Sequence, residues 1–154
     1  MAYSGRFFPK NPNKYRGDVT NIWYRSLWER RTMDWMDTMD FVIEWSSEEL
    51  IIPYISPLDN KYHRYFPDFV AKIKTRDGIK KFVIEVKPEK QTKPPQKGKR
   101  VSKKLITEIS TWGVNEAKWK AATEFCKDRN WEFKILTEKE IFRSEEHTSE
   151  LQSH

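Results

Sequence analysis

Two short stretches of the chain carry the residue types that hydrolysis of a phosphodiester requires. Asp68 lies in the run Tyr-Phe-Pro-Asp-Phe, and Glu85 and Lys87 follow seventeen residues later, separated by Val86. Side chains at positions i and i+2 of a β-strand point to one face, so Glu85 and Lys87 would project together, away from Val86. An Asp-Gly turn between the stretches predicts a β-hairpin whose register would place Asp68 beside them. Two carboxylates and one ammonium in one place are the minimum equipment for metal-assisted cleavage of a phosphodiester.

The strands on either side of that turn have different patterns. Residues 61–74 alternate between two sets of side chains and predict one strand, with Asp68 on its more polar face. Pro67 cannot donate a hydrogen bond to a neighbouring strand, which indicates a sheet edge or a bulge next to Asp68. Residues 80–87 form the second strand, and the consecutive apolar residues 82–84 predict burial on both faces. Glu85 would therefore lie in a central strand, where an unpaired carboxylate is unfavourable.

The other patterns predict an α/β fold with a mixed sheet flanked by helices. A helix from Thr20 or Asn21 to about Asp37 precedes short strands at 41–45 and 50–55. After the hairpin, a helix spans about 102–129, with an interruption at 111–115 where Asn115 would cap its second half. A strand at 131–136 and a short helix at 138–142 complete the order. We expect the last strand to be parallel to its neighbour, because a helix connects them.

Glu29 lies on the predicted apolar face of the first helix, in line with Ile22, Ser26 and Met33. A carboxylate on such a face has to be paired, or has to face a metal ion or a cleft. The residues alone favour the plainer alternatives, which are an ion pair with Arg25 or an exposed charge.

The 154-residue chain is polar, with 34% charged residues, a formal net charge of +6 and a single cysteine, Cys126. This length suits one domain. No apolar run is long enough to span a membrane, and residues 1–10 lack the apolar segment of a signal peptide. One cysteine suits a reducing, cytosolic setting. The composition therefore argues against a membrane protein and against a disulfide-stabilised secreted domain.

Two segments concentrate the positive charge. Residues 1–18 are predicted to form an irregular basic arm, and residues 88–101 a basic flexible loop directly after the candidate site. The alternatives are a loosely packed N-terminal extension and a solubilising linker. We expect DNA-backbone contacts from these segments and the helix that follows, through Arg6, Lys10, Arg16, Lys90, Lys93, Lys97, Lys99, Arg100, Lys103 and Lys104.

The last twelve residues, Arg143–His154, resemble the in-frame translation of a sequencing adapter. We therefore expect them to be a disordered artefact and place the folded domain at residues 19–142. They hold one arginine and three glutamates, so the net charge without them is +8. A genuine polar tail is the alternative.

His63 and Lys118 are secondary candidates for the lining of the site. His63 lies near Asp68 on the same predicted strand, although a strand-borne histidine is more often a surface or core residue. Lys118 is a charged position of the second long helix that would approach the site, or is simply solvated. The sequence contains no Gly-rich phosphate loop, no metal-binding Cys/His cluster and no Ser-His-Asp arrangement.

The pair Pro67-Asp68 and the run Glu85-Val86-Lys87 match the PD-(D/E)xK pattern of nucleases, on the two adjacent strands where that superfamily carries it. A wider resemblance, over about residues 3–142, is to the head completion nucleases of T-even-type tailed phages, and the core is also similar to the TnsA transposase endonuclease. It implies a restriction-endonuclease-like αβββαβ core. The segments that carry it are Tyr3-Ser4-Gly5, Ser26-Leu27-Trp28-Glu29-Arg30, Trp45-Ser46-Ser47-Glu48-Glu49, Tyr65–Phe69, Glu85–Pro88 and Trp112–Trp119.

The resemblance implies a role for each candidate residue. Asp68 and Glu85 would bind Mg²⁺, or Mn²⁺ in its place, together with the backbone carbonyl of Val86, since hard oxygen ligands suit these ions. Glu29 would match the helix-borne acid of TnsA-like sites and complete the metal shell. Lys87 would orient or activate the attacking water and stabilise charge on the phosphate. The neighbouring carboxylates favour its charged form, which favours electrostatic stabilisation over general-base action.

The resemblance also implies double-stranded DNA and phage head or neck proteins as partners, and a role in virion assembly in the host cytoplasm, with association with the virion. Two alternatives stay open: a structural head-tail joining protein with an inactive nuclease fold, and a junction-resolvase or transposase-like endonuclease. The presence of Asp68, Glu85 and Lys87 argues against an inactive site, because decay usually removes at least one such residue. The sequence leaves open endonuclease or exonuclease action, the preferred DNA structure and the oligomeric state.

Overall fold

The computed structural model describes residues 3–96 and 101–142, which contain eight strands and three α-helices. Four of the strands form a central sheet, and the other four form two separate pairs. In the central sheet the third, sixth, seventh and eighth strands are neighbours in that order, with the last pair parallel and the others antiparallel. The predicted mixed α/β architecture is therefore confirmed. The elements in chain order are β1 (Gly5–Arg6), β2 (Trp23–Tyr24), α1 (Leu27–Thr38), β3 (Val42–Ser47), β4 (Ile52–Ile55), β5 (Tyr62–Tyr65), β6 (Phe69–Thr75), β7 (Gly78–Val86), α2 (Lys103–Asp128), β8 (Glu132–Leu136) and α3 (Glu138–Phe142).

Strands β6 and β7 form the predicted hairpin. Thr75 pairs with Gly78, so Arg76 and Asp77 make the turn. Gly78 has a φ of 114°, a conformation that residues with side chains rarely adopt, which explains the glycine at this position. Strand β7 lies between β6 and β8, and its residues 82–86 are all buried. The prediction that Glu85 belongs to a central strand is therefore confirmed.

The prediction of one continuous strand over residues 61–74 is wrong. The segment divides into β5, which pairs with β4, and β6, which enters the central sheet. Pro67 lies in the connection between them, because it has no N–H to donate to either ladder. Asp68 therefore lies just before β6, where its backbone carbonyl accepts a hydrogen bond from the N–H of Glu48 at 3.1 Å.

Helix α1 begins later than the sequence pattern predicts. Its N-cap is Ser26, whose hydroxyl accepts a hydrogen bond from the N–H of Glu29, and the short strand β2 lies before it. The predicted cap at Thr20 or Asn21 is wrong because Ile22 is buried from an extended segment, so the apolar spacing continues beyond the helix itself.

Helix α2 runs without interruption over 26 residues, with Ser102 as its N-cap. The predicted break at 111–115 is wrong, and Asn115 is buried inside the helix instead of capping a second half. The helix packs against β4, β7 and β8, and such contacts outweigh the weak helix propensity of a single glycine and an asparagine.

Helices cover both faces of the central sheet. Helix α1 and the N-terminal segment pack on one face, around Phe69 and Ile84. Helix α2 and the β4–β5 pair cover the other face, around Val70 and Val83. Because side chains alternate along a strand, Glu85 lies on the same face as Val83, beneath α2.

The N-terminal segment packs onto the core, in contrast to the irregular basic arm predicted for residues 1–18. Phe7 and Tyr15 are buried in the core on the α1 side. The backbone N–H groups of Lys10 and Asn11 donate to the Asp37 carboxylate at 2.8 and 3.1 Å. The alternative, a loosely packed N-terminal extension, is closer to the structure, although the described part of this segment is packed more tightly than that alternative expected.

No α-helix among the described residues is long and apolar enough to cross a membrane. The segment that follows β7 contains a short 3-10 turn at Glu89–Thr92. The presumed adapter residues 143–154 lie outside the described residues, as do Lys97, Lys99 and Arg100 of the basic loop.

Candidate active site

Asp68 and Glu85 meet where the β6–β7 hairpin joins the rest of the sheet. Phe69 pairs with Ile84, so the next position of the register sets Asp68 against Glu85. The N–H of Val86 donates to the Asp68 carboxylate at 2.8 Å, which holds that side chain although Asp68 precedes the strand. The structure therefore brings the two predicted acids together.

Glu85 is 6% exposed, and both of its carboxylate oxygens have a partner. The Tyr65 hydroxyl donates to Oε1 at 2.6 Å, and Lys87 Nζ lies 3.6 Å from Oε2. Glu85 and Lys87 project to one side of β7 as predicted, while Val86 is buried in the core on the other side. Lys87 is partly exposed, so its ammonium lies between the acids and solvent.

Burial raises the pKa of both acids, and the charge of Glu85 raises the pKa of Asp68 further. For Asp68, loss of hydration raises the pKa well above its ordinary value and the charge of Glu85 raises it further, against the opposing effects of the Val86 N–H and the Lys87 charge. For Glu85, loss of hydration is again the largest cause of a raised pKa, opposed first by the Tyr65 hydroxyl and then by Lys87. The site thus holds two like charges in a poorly hydrated position, which an added cation would relieve.

Glu29 lies near this pair and also forms part of a helix cap. Its Oε1 accepts the backbone N–H of Arg25 at 3.1 Å, while its own N–H donates to the Ser26 hydroxyl, an arrangement close to a capping box. Burial raises the pKa of Glu29, and the charge of Glu85 contributes to that rise. The Arg25 guanidinium pairs with Glu48 instead of forming the ion pair with Glu29. The cap is a structural role, and membership of a metal shell stays a prediction for Glu29.

Within residues 3–96 and 101–142, no group of three or more His, Cys, Asp or Glu side chains is arranged to hold a metal ion. The Asp68–Glu85 pair nevertheless supplies hard carboxylate oxygens. Mg²⁺ in proteins usually takes one or two carboxylates and completes its shell with water and phosphate oxygens. The repulsion between the two acids is the feature that fits them to a divalent cation, with the Val86 carbonyl as a predicted further ligand.

Comparison with known proteins agrees with this geometry. Residues 40–138, a span that includes Asp68, Glu85 and Lys87, match the family model described as TnsA-like endonuclease N terminal. The chain belongs to the TnsA-like endonuclease family. It is also similar to the protein named Head completion nuclease from Enterobacteria phage T4, with 44% identity over 142 residues that cover 90% of this chain and 93% of that protein. No solved structure matches the chain significantly.

Family membership confirms the resemblance that the sequence motifs predicted. It also confirms the restriction-endonuclease-like fold class, because the TnsA-like domain has that fold and the mixed four-stranded sheet with flanking helices agrees with it.

Of the two secondary candidates for this TnsA-like site, Lys118 lies beside the acids and His63 does not. Lys118 Nζ is 5.6 Å from the centre of the Tyr65 ring, and its charge opposes the rise in the pKa of Glu85. The His63 ring is hydrogen bonded to the exposed Asp59 at 2.8 Å. His63 also lies against the Tyr54 ring, with ring centres 5.9 Å apart, so its contacts are within the β4–β5 pair and its connecting turn.

Tyr65 and Glu48 are residues of the site that sequence reasoning did not assign. Burial raises the pKa of Tyr65, so its hydroxyl stays protonated and donates to Glu85. Glu48 has a φ of 55°, its N–H donates to the Asp68 carbonyl and its carboxylate pairs with Arg25. The available signals were the tyrosine three residues before Asp68 and the acidic end of β3, which was interpreted only as a strand break.

The basic residues that were predicted to bind DNA lie on the surface where the structure describes them. Arg6 also donates to the Thr20 carbonyl, and Arg16 pairs with Glu44. DNA contact stays a prediction for all of them. The described members, all exposed, are Arg6, Lys10, Arg16, Lys90, Lys93, Lys103 and Lys104.

Proposed function

We propose that this protein is a metal-dependent DNA nuclease that hydrolyses phosphodiester bonds during phage head completion. The observation that carries the proposal is the meeting of two poorly hydrated, mutually repelling carboxylates, Asp68 and Glu85, with Lys87 at one edge of the site. Membership of the TnsA-like endonuclease family supports the chemistry. The name of the phage T4 relative, Head completion nuclease, supports the biological setting.

Asp68 and Glu85 are the residues proposed to hold a divalent cation, Mg²⁺ with Mn²⁺ as a substitute, aided by the Val86 carbonyl and by Glu29. Such an ion, when bound, makes a water molecule more acidic and neutralises charge on a phosphate. Both carboxylates are held in a fixed orientation before substrate binds, because the Val86 N–H orients Asp68 and the Tyr65 hydroxyl orients Glu85. Groups that are already oriented do not have to reorganise when the substrate arrives.

Lys87 is proposed to stabilise the negative charge that grows on the scissile phosphate. Its ammonium is held 3.6 Å from Glu85 Oε2 and is partly exposed, so it is positioned to donate to a phosphate oxygen at the mouth of the site. Lys118 adds positive charge on the α2 side, where it lies against the Tyr65 ring.

The exposed lysines and arginines are proposed to hold the DNA backbone without reading its bases. Contacts of this kind release counterions, so affinity for double-stranded DNA should fall steeply as the salt concentration rises. The proposal includes phage head or neck proteins as partners and the host cytoplasm during virion assembly as the setting, with association with the virion.

The test is cleavage of linear, closed circular and branched DNA by the purified full chain with Mg²⁺, Mn²⁺ or EDTA. We expect cleavage with either metal and none in EDTA. Cleavage of closed circles would show endonuclease action, and a strong preference for branched DNA would support the junction-resolvase alternative. Failure to cleave any substrate with either metal would contradict the proposal and favour a structural joining protein.

A matched pair of lysine variants tests the role of Lys87. The variant Lys87→Met should lower the cleavage rate by about 100-fold, the order expected when one charge-stabilising donor is lost. Lys74→Met removes an exposed lysine from β6, away from the acids, and should leave the rate unchanged. Equal rates for both variants would remove Lys87 from the mechanism.

A further inference from the structure

A cavity of about 690 Å³ opens between α2 and the segment that follows β7. The segment begins just after Lys87, and the wall residue Asn115 lies about one helical turn before Lys118, so both walls continue from parts of the candidate site. Its volume lies within the range of about 300–1,000 Å³ that is typical of small-molecule sites. The wall residues that matter here are Lys90, Lys93, Thr107, Glu108, Trp112 and Asn115.

Asn115 is the unusual member of the wall. The residue is only 8% exposed and no hydrogen bond to its amide is found among the described residues, but its amide atoms are not fully buried and therefore reach the cavity. An amide that faces a cavity and has no partner in the protein is free to bind a ligand there. A carboxamide offers a donor and an acceptor in one plane, which is the pattern that pairs with the edge of a nucleobase.

Trp112 supplies an aromatic surface in the same wall. Its ring is held edge-on against Trp119, with ring centres 5.8 Å apart and an angle of 81° between the planes. Stacking of a base on such a ring contributes about 1–3 kcal/mol and tolerates any base. The tryptophan is therefore placed to stack on a base whose edge the Asn115 amide would contact.

The charged residues of the cavity wall indicate where the base and the phosphate of a bound nucleotide would lie. Glu108 in the wall would repel a phosphate, but its carboxylate can accept a hydrogen bond from the amino group of a base. Lys90 and Lys93 are exposed and suit the backbone phosphate of the same nucleotide. This distribution fits a nucleotide that enters base first.

We propose that this cavity binds an unpaired nucleotide of DNA next to the scissile phosphate, with its base stacked on Trp112 and hydrogen bonded by Asn115. The proposal rests on the nuclease function proposed above and adds a substrate class, DNA with an overhang or a frayed end. A base inside an intact duplex is stacked and paired, so it cannot enter a concave wall, whereas an unpaired base can.

The first experiment needs no cleavage. A duplex with 2-aminopurine in a single-stranded overhang is titrated with the full chain in EDTA, and its fluorescence reports stacking of that base. We expect strong quenching by the wild type and at least a fivefold smaller quench by Trp112→Ala. The control Ile109→Ala, which truncates an exposed apolar residue of the same helix outside the cavity, should quench like the wild type. Absence of quenching at saturation, or equal quenching by Trp112→Ala, would overturn the proposal.

The second experiment uses Asn115→Leu, which keeps the branching of the side chain and removes its amide. We expect a variant that stays folded, as its Tm will show, with at least a tenfold weaker preference for overhanging over blunt duplex DNA in binding. An unchanged preference would overturn the base-binding role, whatever the change in Tm.

Cleavage rates separate this proposal from the one on which it rests. Equal cleavage of blunt and overhanging duplexes by the wild type would overturn the cavity proposal and leave the nuclease function standing. Quenching of the 2-aminopurine overhang without cleavage in Mg²⁺ or Mn²⁺ would support the cavity and overturn the nuclease function.

Discussion

Two aspartates of this molecule, the buried Asp37 and the half-buried Asp68, are held by backbone N–H groups, and they differ in what else surrounds them. Asp37, in the last turn of α1, is fully buried and accepts two successive N–H groups of the N-terminal segment at 2.8 and 3.1 Å. Asp68 accepts one N–H at 2.8 Å and faces the carboxylate of Glu85. Hydrogen-bond donors compensate the negative charge of Asp37, whereas the negative charge of Asp68 lies next to a second negative charge.

The surroundings of Asp37 give it a structural role. Besides its carboxylate, its backbone carbonyl accepts hydrogen bonds from the Asn11 amide and from Lys14 Nζ at 2.9 and 3.0 Å, and Lys14 Nζ also donates to the Met39 carbonyl at 2.8 Å. These donors satisfy carbonyls at the end of α1 that have no partner within the helix. The cluster thus attaches the N-terminal segment to the domain.

The surroundings of Asp68 favour a role in function over a role in stability. A pair of like charges with little hydration destabilises the folded chain unless a cation joins it. The comparison teaches that a backbone hydrogen bond to a poorly hydrated carboxylate does not distinguish a structural carboxylate from a functional one. The charge balance around the carboxylate does.

The largest expected effect is the loss of cleavage when the acids at the site lose their charge. Asp68→Asn and Glu85→Gln keep the shape of each side chain, and each should lower the single-turnover rate of DNA cleavage by about 10³-fold or more. Asp77→Asn neutralises an exposed acid at the hairpin turn and serves as the control. Rates within threefold of the wild type for the two site variants would place the chemistry elsewhere.

The second effect is on folding and concerns the structural aspartate. Asp37→Ala leaves two backbone N–H groups without their acceptor, and we expect it to lower the free energy of unfolding by about 3 kcal/mol in urea. Asp34→Ala, an exposed acid one turn earlier in α1, should change it by less than about 0.5 kcal/mol. Equal losses would mean that the N-terminal segment is not attached through Asp37.

The third effect is a gain in the stability of the folded chain, where the second is a loss. In metal-free buffer at neutral pH, Asp68→Asn removes one of two repelling charges and keeps an acceptor for the Val86 N–H. We expect it to stabilise the chain by about 1 kcal/mol, seen as a rise in Tm of about 2–4 °C. A lower Tm would show that the Asp68 charge is matched by donors in the way that the Asp37 charge is.

The pH dependence of this gain follows from the raised pKa of Asp68. A raised pKa means that the folded chain binds the proton more tightly than the unfolded chain, so the wild type loses stability as pH rises from the unfolded value of about 3.8 through the folded value. Asp68→Asn lacks this loss. The difference in Tm between the two should therefore be smallest near pH 4 and grow toward neutral pH. A difference that is constant over this range would contradict the raised pKa.

The smallest expected effect separates the two roles of Glu29. Glu29→Gln keeps an oxygen for the Arg25 N–H, so its stability should stay within about 0.5 kcal/mol of the wild type, whereas Glu29→Ala should lose about 1 kcal/mol with the cap. If Glu29 also belongs to the metal shell, Glu29→Gln should cleave DNA about tenfold more slowly. Unchanged cleavage by Glu29→Gln would restrict this residue to the cap.

Local patterns predicted the centre of the site. The Asp-Gly turn and the alternation of side chains determine the register of the β6–β7 hairpin, so the meeting of Asp68, Glu85 and Lys87 could be predicted. The parallel pairing of β8 followed from the helix that precedes it.

The features that could not be predicted depend on contacts between distant segments. The division of residues 61–74 depends on β4, which pairs with β5 and removes it from the central sheet. The hydrogen bond from Tyr65 to Glu85 joins positions twenty residues apart, in two different sheets. The burial of Phe7 and Tyr15 requires the α1 side of the core to be assembled, which the basic composition of residues 1–18 does not indicate.

The central claim is that Asp68 and Glu85 form a cation site, and the thermal unfolding of the full chain with and without Mn²⁺ tests it most directly. A cation that binds the folded state raises Tm by mass action, so Mn²⁺ at millimolar concentration should raise the Tm of the wild type by several degrees. The double variant Asp68→Asn/Glu85→Gln should show no rise. An equal rise in both proteins, or none in the wild type at any Mn²⁺ concentration, would contradict the claim.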